Sequence, residues 1–152
     1  MQSPRTHLID QFRRTFDGEA WHGPAVMEVL RDIPAEFASR RLAESHSVGE
    51  LAGHILAWRE YAIAKLEGDA DYKVLEEENF PVVTAENWPE IMVRLEASQH
   101  ELLGLLEAMA DERMQEIVPG KKHTFSVLLH GLVHHDVYHL GQLVLMKQYL
   151  PQ

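Results

Sequence analysis

Four long stretches of this chain carry apolar residues at the three- and four-residue spacing of an α-helix, and most glycines and prolines lie in the breaks between them. No segment shows a convincing β-strand pattern. Helices of about 20 residues with continuous apolar seams pack as a four-helix bundle. The longest stretch outside the helices, residues 69–83, could cross the bundle. The sequence therefore predicts an all-α four-helix bundle, with residues 1–152 forming one domain.

The first helical arm contains a break. Ser3 is a suitable N-cap and Pro4 suits the first helical position, so a helix is expected to run to about Phe16. Residues 21–24 then interrupt it before a short apolar stretch at residues 26–30. We therefore expect the first arm to be kinked or split.

Polar caps place the other three helices. Ser47 and Glu50 form a capping box, and the helix that follows them should end near Gly68. The third helix is expected to have its cap at Thr84 and the fourth at Thr124.

Composition narrows the function classes. The chain has no cysteine, which excludes disulfides, thiolate metal sites and a cysteine nucleophile. Its formal net charge is -10, so phosphate backbones should be repelled and nucleic acid is not an expected partner. Four charged residues lie near the start of the chain: Arg5, Asp10, Arg13 and Arg14. They leave no apolar stretch there that suits a signal peptide or a membrane span. We expect a soluble cytoplasmic protein.

Three of the ten histidines are expected to point into the core. His135 and His139 are four residues apart, so their rings lie on one face of the fourth helix, a turn apart. They share the apolar register of that helix, whereas His130 and His134, at the same spacing, are rotated toward its edge. His54 occupies the apolar seam of the second helix.

Two interpretations of these histidines are open. Each could be a buried neutral imidazole that is hydrogen-bonded to a neighbour. Burying three imidazoles without partners would cost about 1–3 kcal/mol each, whereas one divalent cation satisfies three nitrogens together. Three neutral nitrogen ligands also leave a coordination position open for water or substrate, as in catalytic zinc sites. We therefore predict metal ligands at His54, His135 and His139.

Three further side chains are weaker candidates for catalytic roles at this site. Glu50 lies one turn before His54 and could reach a metal, although its capping role explains it without a function. Asp136 could orient an imidazole of a neighbouring helix, although exposed surface is the favoured interpretation. Gln99 interrupts the third apolar seam, so it either lines the metal cavity or fixes the register of the bundle.

Motifs that span most of the chain accompany these histidines: Trp21-His22-Gly23-Pro24, His46-Ser47, Glu50-Leu51, His54-Ile55, Trp58, Gly131-Leu132, His135-Asp136, Tyr138-His139 and Gly141-Gln142. Together they resemble the DinB-like superfamily, including its YfiT-like members. The resemblance implies a four-helix bundle that holds a divalent metal, often nickel or zinc, at His54, His135 and His139. The sequence departs from the family pattern at Gly49, where many members have an aromatic residue, and in two additional imidazoles near the site.

The resemblance also sets the functional expectation. Members of known activity include bacillithiol transferases and mycothiol-dependent isomerases, so the resemblance implies an enzyme that activates a low-molecular-weight thiol for attack on a small electrophilic substrate. A hydrolase that uses metal-activated water is the alternative. A third possibility is a non-catalytic, metal-binding stress-response protein with Glu50 as a fourth ligand. Bundles of this kind also commonly form homodimers.

Overall fold

A computed structural model of the protein describes residues 3–151. These residues form six α-helices and no β-strand, which confirms the all-helical prediction. In chain order the helices are α1 (Pro4–Asp17), α2 (Val26–Arg31), α3 (Val48–Glu67), α4 (Glu76–Asn79), α5 (Trp88–Ala108) and α6 (Phe125–Lys147). Two short 3-10 segments lie at Ala35–Phe37 and Asp111–Gln115. The first arm is split into α1 and α2, as expected. Within the described range, no helix has both the length and the apolar character needed to cross a membrane.

The structure confirms the caps of α1, α3 and α6. Ser3 and Thr124 accept backbone N–H bonds in the first turns of α1 and α6. At the start of α3, the Ser47 hydroxyl accepts from the Glu50 N–H (3.1 Å) and the Glu50 carboxylate accepts from the Ser47 N–H (2.7 Å). The helix ends at Gly68, whose φ of 97° is a left-handed conformation that glycine adopts without strain.

The prediction that Thr84 caps α5 is wrong. Residues 85–87 form a turn, and the helix begins only at Trp88. The turn forms because Asn87 Oδ1 accepts the Thr84 backbone N–H (2.7 Å). The connection between α3 and α5 therefore extends over residues 68–87.

The helices α1, α3, α5 and α6 form the bundle, and side-chain contacts give their directions. Near the start of α1, Arg5 donates to the Leu106 carbonyl near the end of α5 (2.8 Å). Further along α1, the Phe12 carbonyl accepts from Gln99, which lies earlier on α5 (3.1 Å). The two helices are therefore antiparallel.

In contrast, α3 and α5 run in the same direction. Ile55 and Ile91, early in their respective helices, belong to one apolar cluster, while Leu66 and Leu106, late in those helices, belong to another. The chain must therefore travel back along the bundle through residues 68–87, and the connection crosses the bundle. The short helix α4 lies within this connection and packs against α3.

The returning connection lies directly on α3 because α3 has no side chain at two positions one turn apart. A Cβ at Gly49 would overlap Val83 and the Ala38 carbonyl, and a Cβ at Gly53 would overlap Pro81. The glycine that departs from the family pattern at position 49 therefore makes room for the connection.

A buried polar layer separates the apolar core into two clusters. The first cluster includes Phe16, Leu30, Leu51, Ile55, Leu95 and Leu143. The second includes Leu8, Phe12, Leu66, Leu102, Leu106 and Leu129. The Arg59 guanidinium lies between them, with its Cζ 4.3 Å from the centre of the Phe16 ring and 5.9 Å from that of Phe12.

A substitution of Gly53 by alanine tests how closely the connection packs on α3. The added methyl group would collide with Pro81, so Gly53→Ala should lower the free energy of unfolding by about 1–3 kcal/mol. Gly104→Ala is the matched control, because Gly104 is an exposed glycine of α5 whose Cβ would meet open space. The control should raise stability by about 0.5–1 kcal/mol through helix propensity. Urea denaturation of both variants measures the difference, and equal effects would show that the connection does not rest on α3.

Candidate metal centre

Three imidazole rings meet between α3 and α6. α3 supplies His54, and α6 supplies His135 and His139. One ring nitrogen of each lies within 4.8 Å of the others, and His54 Nε2 is 2.9 Å from His135 Nε2. The two helices are antiparallel, since His54 contacts His139 whereas Arg59, later on α3, contacts Asp136, earlier on α6. The three rings form a group that could bind a metal ion.

The returning connection orients the His54 ring. The Asn79 carbonyl can only accept a hydrogen bond, so His54 donates to it from Nδ1–H (2.5 Å). Asn79 is held in turn by its side chain, whose Oδ1 accepts from Trp58 Nε1 (3.0 Å). A neutral histidine protonated at Nδ1 has its lone pair at Nε2, the nitrogen that faces His135. Metal-ligating histidines are usually oriented by such a bond from the nitrogen that does not bind the metal.

His139 is oriented by its own helix. Its Nδ1–H donates to Oε1 of Gln142, three residues later on α6 (2.6 Å). The lone pair of neutral His139 is therefore at Nε2, which leaves that nitrogen free to bind a cation.

His135 has no comparable partner among residues 3–151, and this observation most favours a cation. His135 Nδ1 and Asp136 Oδ1 are both buried without a hydrogen bond and lie 3.9 Å apart. If the single ring proton of neutral His135 is on Nδ1, two Nε2 lone pairs face each other at 2.9 Å. If it is on Nε2, the Nδ1 lone pair faces a carboxylate oxygen. A cation bound by the Nε2 atoms removes both conflicts, because Nδ1–H then faces Asp136. The residues present therefore fit a metal.

Aromatic side chains cover the His54 ring. Phe80, next to Asn79 on the connection, stacks on His54 with ring centres 4.0 Å apart and planes 2° apart. The other face of Phe80 stacks on His46, with ring centres 3.6 Å apart. Trp58 lies edge-on to His54 at 6.3 Å. The site is therefore bounded on the α3 side by rings rather than by solvent.

Burial makes two of the rings weak bases. Desolvation lowers the pKa of His54 from 6.5 to about 4, against the opposing effect of the hydrogen bond to Asn79. Desolvation also lowers the pKa of His139, where the bond to Gln142 opposes it. Both imidazoles are therefore neutral at pH 7, and neutral imidazole is the form that binds metal.

A buried ion pair lies directly behind the histidines. Arg59 is 0% exposed, and its guanidinium donates to Asp136 Oδ2 and Gln99 Oε1 and, from Nε, to Ser98 Oγ (3.2 Å). Gln99 also donates to the Phe12 carbonyl of α1. This layer connects all four long helices, and Gln99 contributes through contacts that fit a role in bundle register.

The favoured interpretation of Asp136 as exposed surface is wrong, since the residue is buried. α6 packs against both α1 and α3, so its buried face is wide enough to include the residue next to His135. The Asp136 carboxylate approaches the imidazole of its own neighbour His135 and pairs with Arg59 of the facing helix.

The other carboxylate candidate, Glu50, is not part of the three-histidine group. Its oxygens accept from the Ser47 N–H (2.7 Å) and from Arg41 (2.5 Å). Burial raises the pKa of Glu50, but the Ser47 and Arg41 hydrogen bonds outweigh it, so the pKa lies below its usual value. One oxygen of the Glu50 carboxylate therefore caps the start of α3, and the other is bound to Arg41.

Sequence reasoning missed most of the residues that orient the rings. Asn79 and Phe80 belong to the connection, where no helical spacing marks them. Arg59 gave no distinct signal either, because Glu60 beside it and Lys65 further along are also charged residues of α3. His130 and His134 lie outside the three-histidine group, and His134 is exposed.

Comparison with known protein families identifies the family of this chain. A family model described as the DinB superfamily matches residues 20–143, which is most of the sequence. The chain belongs to the DinB superfamily. No curated protein and no solved structure matched the chain. The matched residues include His54, His135 and His139, the group that could bind a metal.

Separate alanine substitutions test the ligand set of this DinB-superfamily protein. His54→Ala, His135→Ala and His139→Ala should each remove most of the bound metal, because each removes one of three nitrogens that converge. Metal per chain after purification, measured by elemental analysis, gives the result. The controls are His130→Ala and His134→Ala, which should keep full occupancy. Full occupancy in the His135→Ala variant would contradict the assignment.

The pKa of His54 predicts how the stability of the metal-free protein depends on pH. Its folded-state pKa of about 4 lies below the unfolded value of 6.5, so the unfolded chain binds the proton more readily. The neutral ring's contribution to stability is complete above pH 6.5 and is lost as the pH falls from 6.5 toward 4. Urea denaturation of the chelator-treated protein should show this loss. Between about pH 7 and pH 5, His54→Gln should lose less stability than the unsubstituted protein by roughly 1–2 kcal/mol; equal losses would contradict the lowered pKa.

Proposed function

We propose that this protein is a metal-dependent enzyme that transfers a low-molecular-weight thiol to a small electrophilic substrate. The proposed ligands are His54, His135 and His139, and nickel and zinc are the proposed cations because both accept imidazole. Bacillithiol, mycothiol and glutathione are the candidate thiols. The chain has no cysteine, so the sulfur comes from outside the protein.

The state of the nearby carboxylates is the observation that favours thiol transfer over hydrolysis. Asp136 is held by buried Arg59, and Glu50 is held by Arg41 and the Ser47 N–H. Within residues 3–151, the three-histidine group contains no carboxylate. Hydrolysis benefits from a general base within hydrogen-bond reach of the attacking water. The second Asp136 oxygen is buried and faces His135 Nδ1, and the Glu50 carboxylate already accepts hydrogen bonds, so neither carboxylate is placed to accept a proton from water. A thiol, with a pKa of about 8.5, needs less help than water to lose its proton.

The neutral ligand set supports the same proposal. Three imidazoles leave the double positive charge of a divalent cation uncompensated, so the site favours an incoming anion. A divalent cation bound there would lower the pKa of a thiol and make thiolate available at neutral pH. The hydrogen bonds from His54 to Asn79 and from His139 to Gln142 hold the rings in place before the thiol arrives.

The proposed reaction balances without an oxidant or reductant. The thiol gives its proton to solvent, and its sulfur forms a bond to an electrophilic carbon. With a chlorinated aromatic substrate the carbon–chlorine bond breaks, and chloride leaves with the bonding electrons. The stacked rings of Phe80 and His54 exclude water from one side of the site and so favour the thiol over water as nucleophile.

Turnover of a chlorinated aromatic tests the proposal. The zinc- or nickel-loaded protein should accelerate its conjugation with one of the three thiols, and a chelator should abolish the acceleration. With the His139→Ala variant, conjugation should proceed at the uncatalysed rate. The His134→Ala variant should retain activity, because His134 is an exposed histidine of the same helix outside the three-histidine group. Conjugate formation is measured by absorbance or mass spectrometry.

Two results would overturn the proposal in different ways. Metal-dependent cleavage of an ester or amide without any thiol transfer would establish a hydrolase. Full metal occupancy with neither activity would favour a non-catalytic metal-binding protein, although Glu50 is occupied elsewhere and does not supply a fourth ligand here.

A further inference from the structure

An apolar groove lies beside the three-histidine group. It has a volume of about 300 Å³. Its lining comes largely from the first half of α6, together with Trp58 of α3: Val127, Leu128, Gly131, Leu132 and His135. Val127 is 60% exposed, so this part of α6 presents an apolar side chain that the core does not use.

The groove and the metal centre share a wall. His135 lines the groove and is also one of the three converging histidines. His135 is partly exposed, whereas His54 and His139 are buried. The His135 side is therefore the most accessible side of the site, and a molecule in the groove would contact the ring at the centre.

The lining determines what the groove can hold. Among residues 3–151, no lysine, arginine or carboxylate lines the groove, and its polar groups are the Trp58 indole and the imidazoles of His123 and His135. An uncharged, apolar occupant has no polar groups that would lose hydrogen bonds to water on moving to such a surface. Pockets for drug-sized ligands start at about 300 Å³, and a cavity of about 150 Å³ holds benzene, so a group of one or two rings fits.

A second cavity, between α3, α5 and the connection, is less suited to this role. Its volume is about 230 Å³, and its lining includes Glu60, Glu78, Glu90 and Arg94. None of the three histidines lines it. An uncharged ring bound there would displace water from charged groups and would not reach the metal centre.

We infer that the groove binds the apolar ring of the electrophilic substrate and so sets its class as uncharged aromatic or cyclic molecules. This inference rests on the proposed function, since it names the substrate class of the same site. The ring lies along Val127 and Gly131, and its reactive carbon extends past His135 to meet the thiol sulfur. Gly131 matters because a Cβ at this position meets nothing within 4 Å, so a larger side chain would occupy the groove.

Direct binding tests the groove independently of catalysis. Chlorobenzyl alcohol, an uncharged and unreactive ring, is titrated into zinc-loaded protein while backbone amide NMR signals are recorded. The amide signals of Val127, Gly131 and Leu132 should shift. Gly131→Leu should weaken this binding about tenfold or more. Gly141→Leu is the matched control, because Gly141 is an exposed glycine of the same helix with open space at its Cβ, and it should bind normally.

A second variant guards against an effect of Gly131→Leu on folding. Val127→Glu places a carboxylate at an exposed position on the groove and should also weaken binding of the ring. Metal content should be unchanged in all three variants, and none of them should melt at a lower temperature than the unsubstituted protein. Binding that is equal in Gly131→Leu and Gly141→Leu, or shifts confined to other residues, would overturn the inference. Amide shifts of the groove that depend on protein concentration without the probe would assign it to a second copy of the chain and overturn it too.

The kinetic arm separates this inference from the proposed function. With the thiol that supports turnover, Gly131→Leu should raise KM for chlorodinitrobenzene about tenfold or more, and leave kcat/KM for the small electrophile iodoacetamide nearly unchanged. Equal losses for both electrophiles would contradict a ring-binding groove. Ring binding that depends on Gly131, in a protein that transfers no thiol to either electrophile, would support the groove and refute only the transferase proposal.

Discussion

The arrangement of the bundle depends on the hydrogen bonds of the buried Arg59 guanidinium. It has no exposure to water, so every hydrogen bond it makes has to come from the protein. Asp136 of α6 and Gln99 of α5 provide acceptors, and Gln99 extends the network to the Phe12 carbonyl of α1. Removing one partner of a buried pair typically costs about 3–5 kcal/mol, a large part of the roughly 5–15 kcal/mol that stabilises a domain. Alternative helix registers that separate these groups are therefore strongly disfavoured.

The same pair places the three-histidine group. Asp136 uses one carboxylate oxygen for Arg59 and directs the other toward His135 Nδ1. His54 lies five residues before Arg59 on α3, so the contact that fixes α3 against α6 also fixes the approach of His54 to His135. A buried charge that contributes little net stability can in this way specify the geometry of a site.

The parts of this structure that follow a period were predictable from the sequence, and the parts that depend on one long-range contact were not. Apolar spacing and side-chain caps located four long helices, and the same spacing brought His54, His135 and His139 to one face. Thr84 is a local exception: Asn87, three residues later, accepts its backbone N–H and closes a turn that precedes the helix. The burial of Asp136 depends on Arg59, 77 residues away, and periodicity within α6 carries no information about that partner.

The parallel course of α3 and α5 has a consequence for how the chain folds. Antiparallel neighbours joined by a short turn can pair as soon as both helices form, whereas here residues 68–87 have to be laid along the bundle first. Contacts of greater sequence separation slow folding, because loop entropy is lost before the contacts compensate for it. The connection whose placement slows folding also contains Asn79, whose carbonyl accepts the hydrogen bond from His54. The Nδ1–H tautomer of His54 is therefore fixed only once residues 68–87 have packed along the bundle. The three-histidine group thus reaches its final arrangement late in folding.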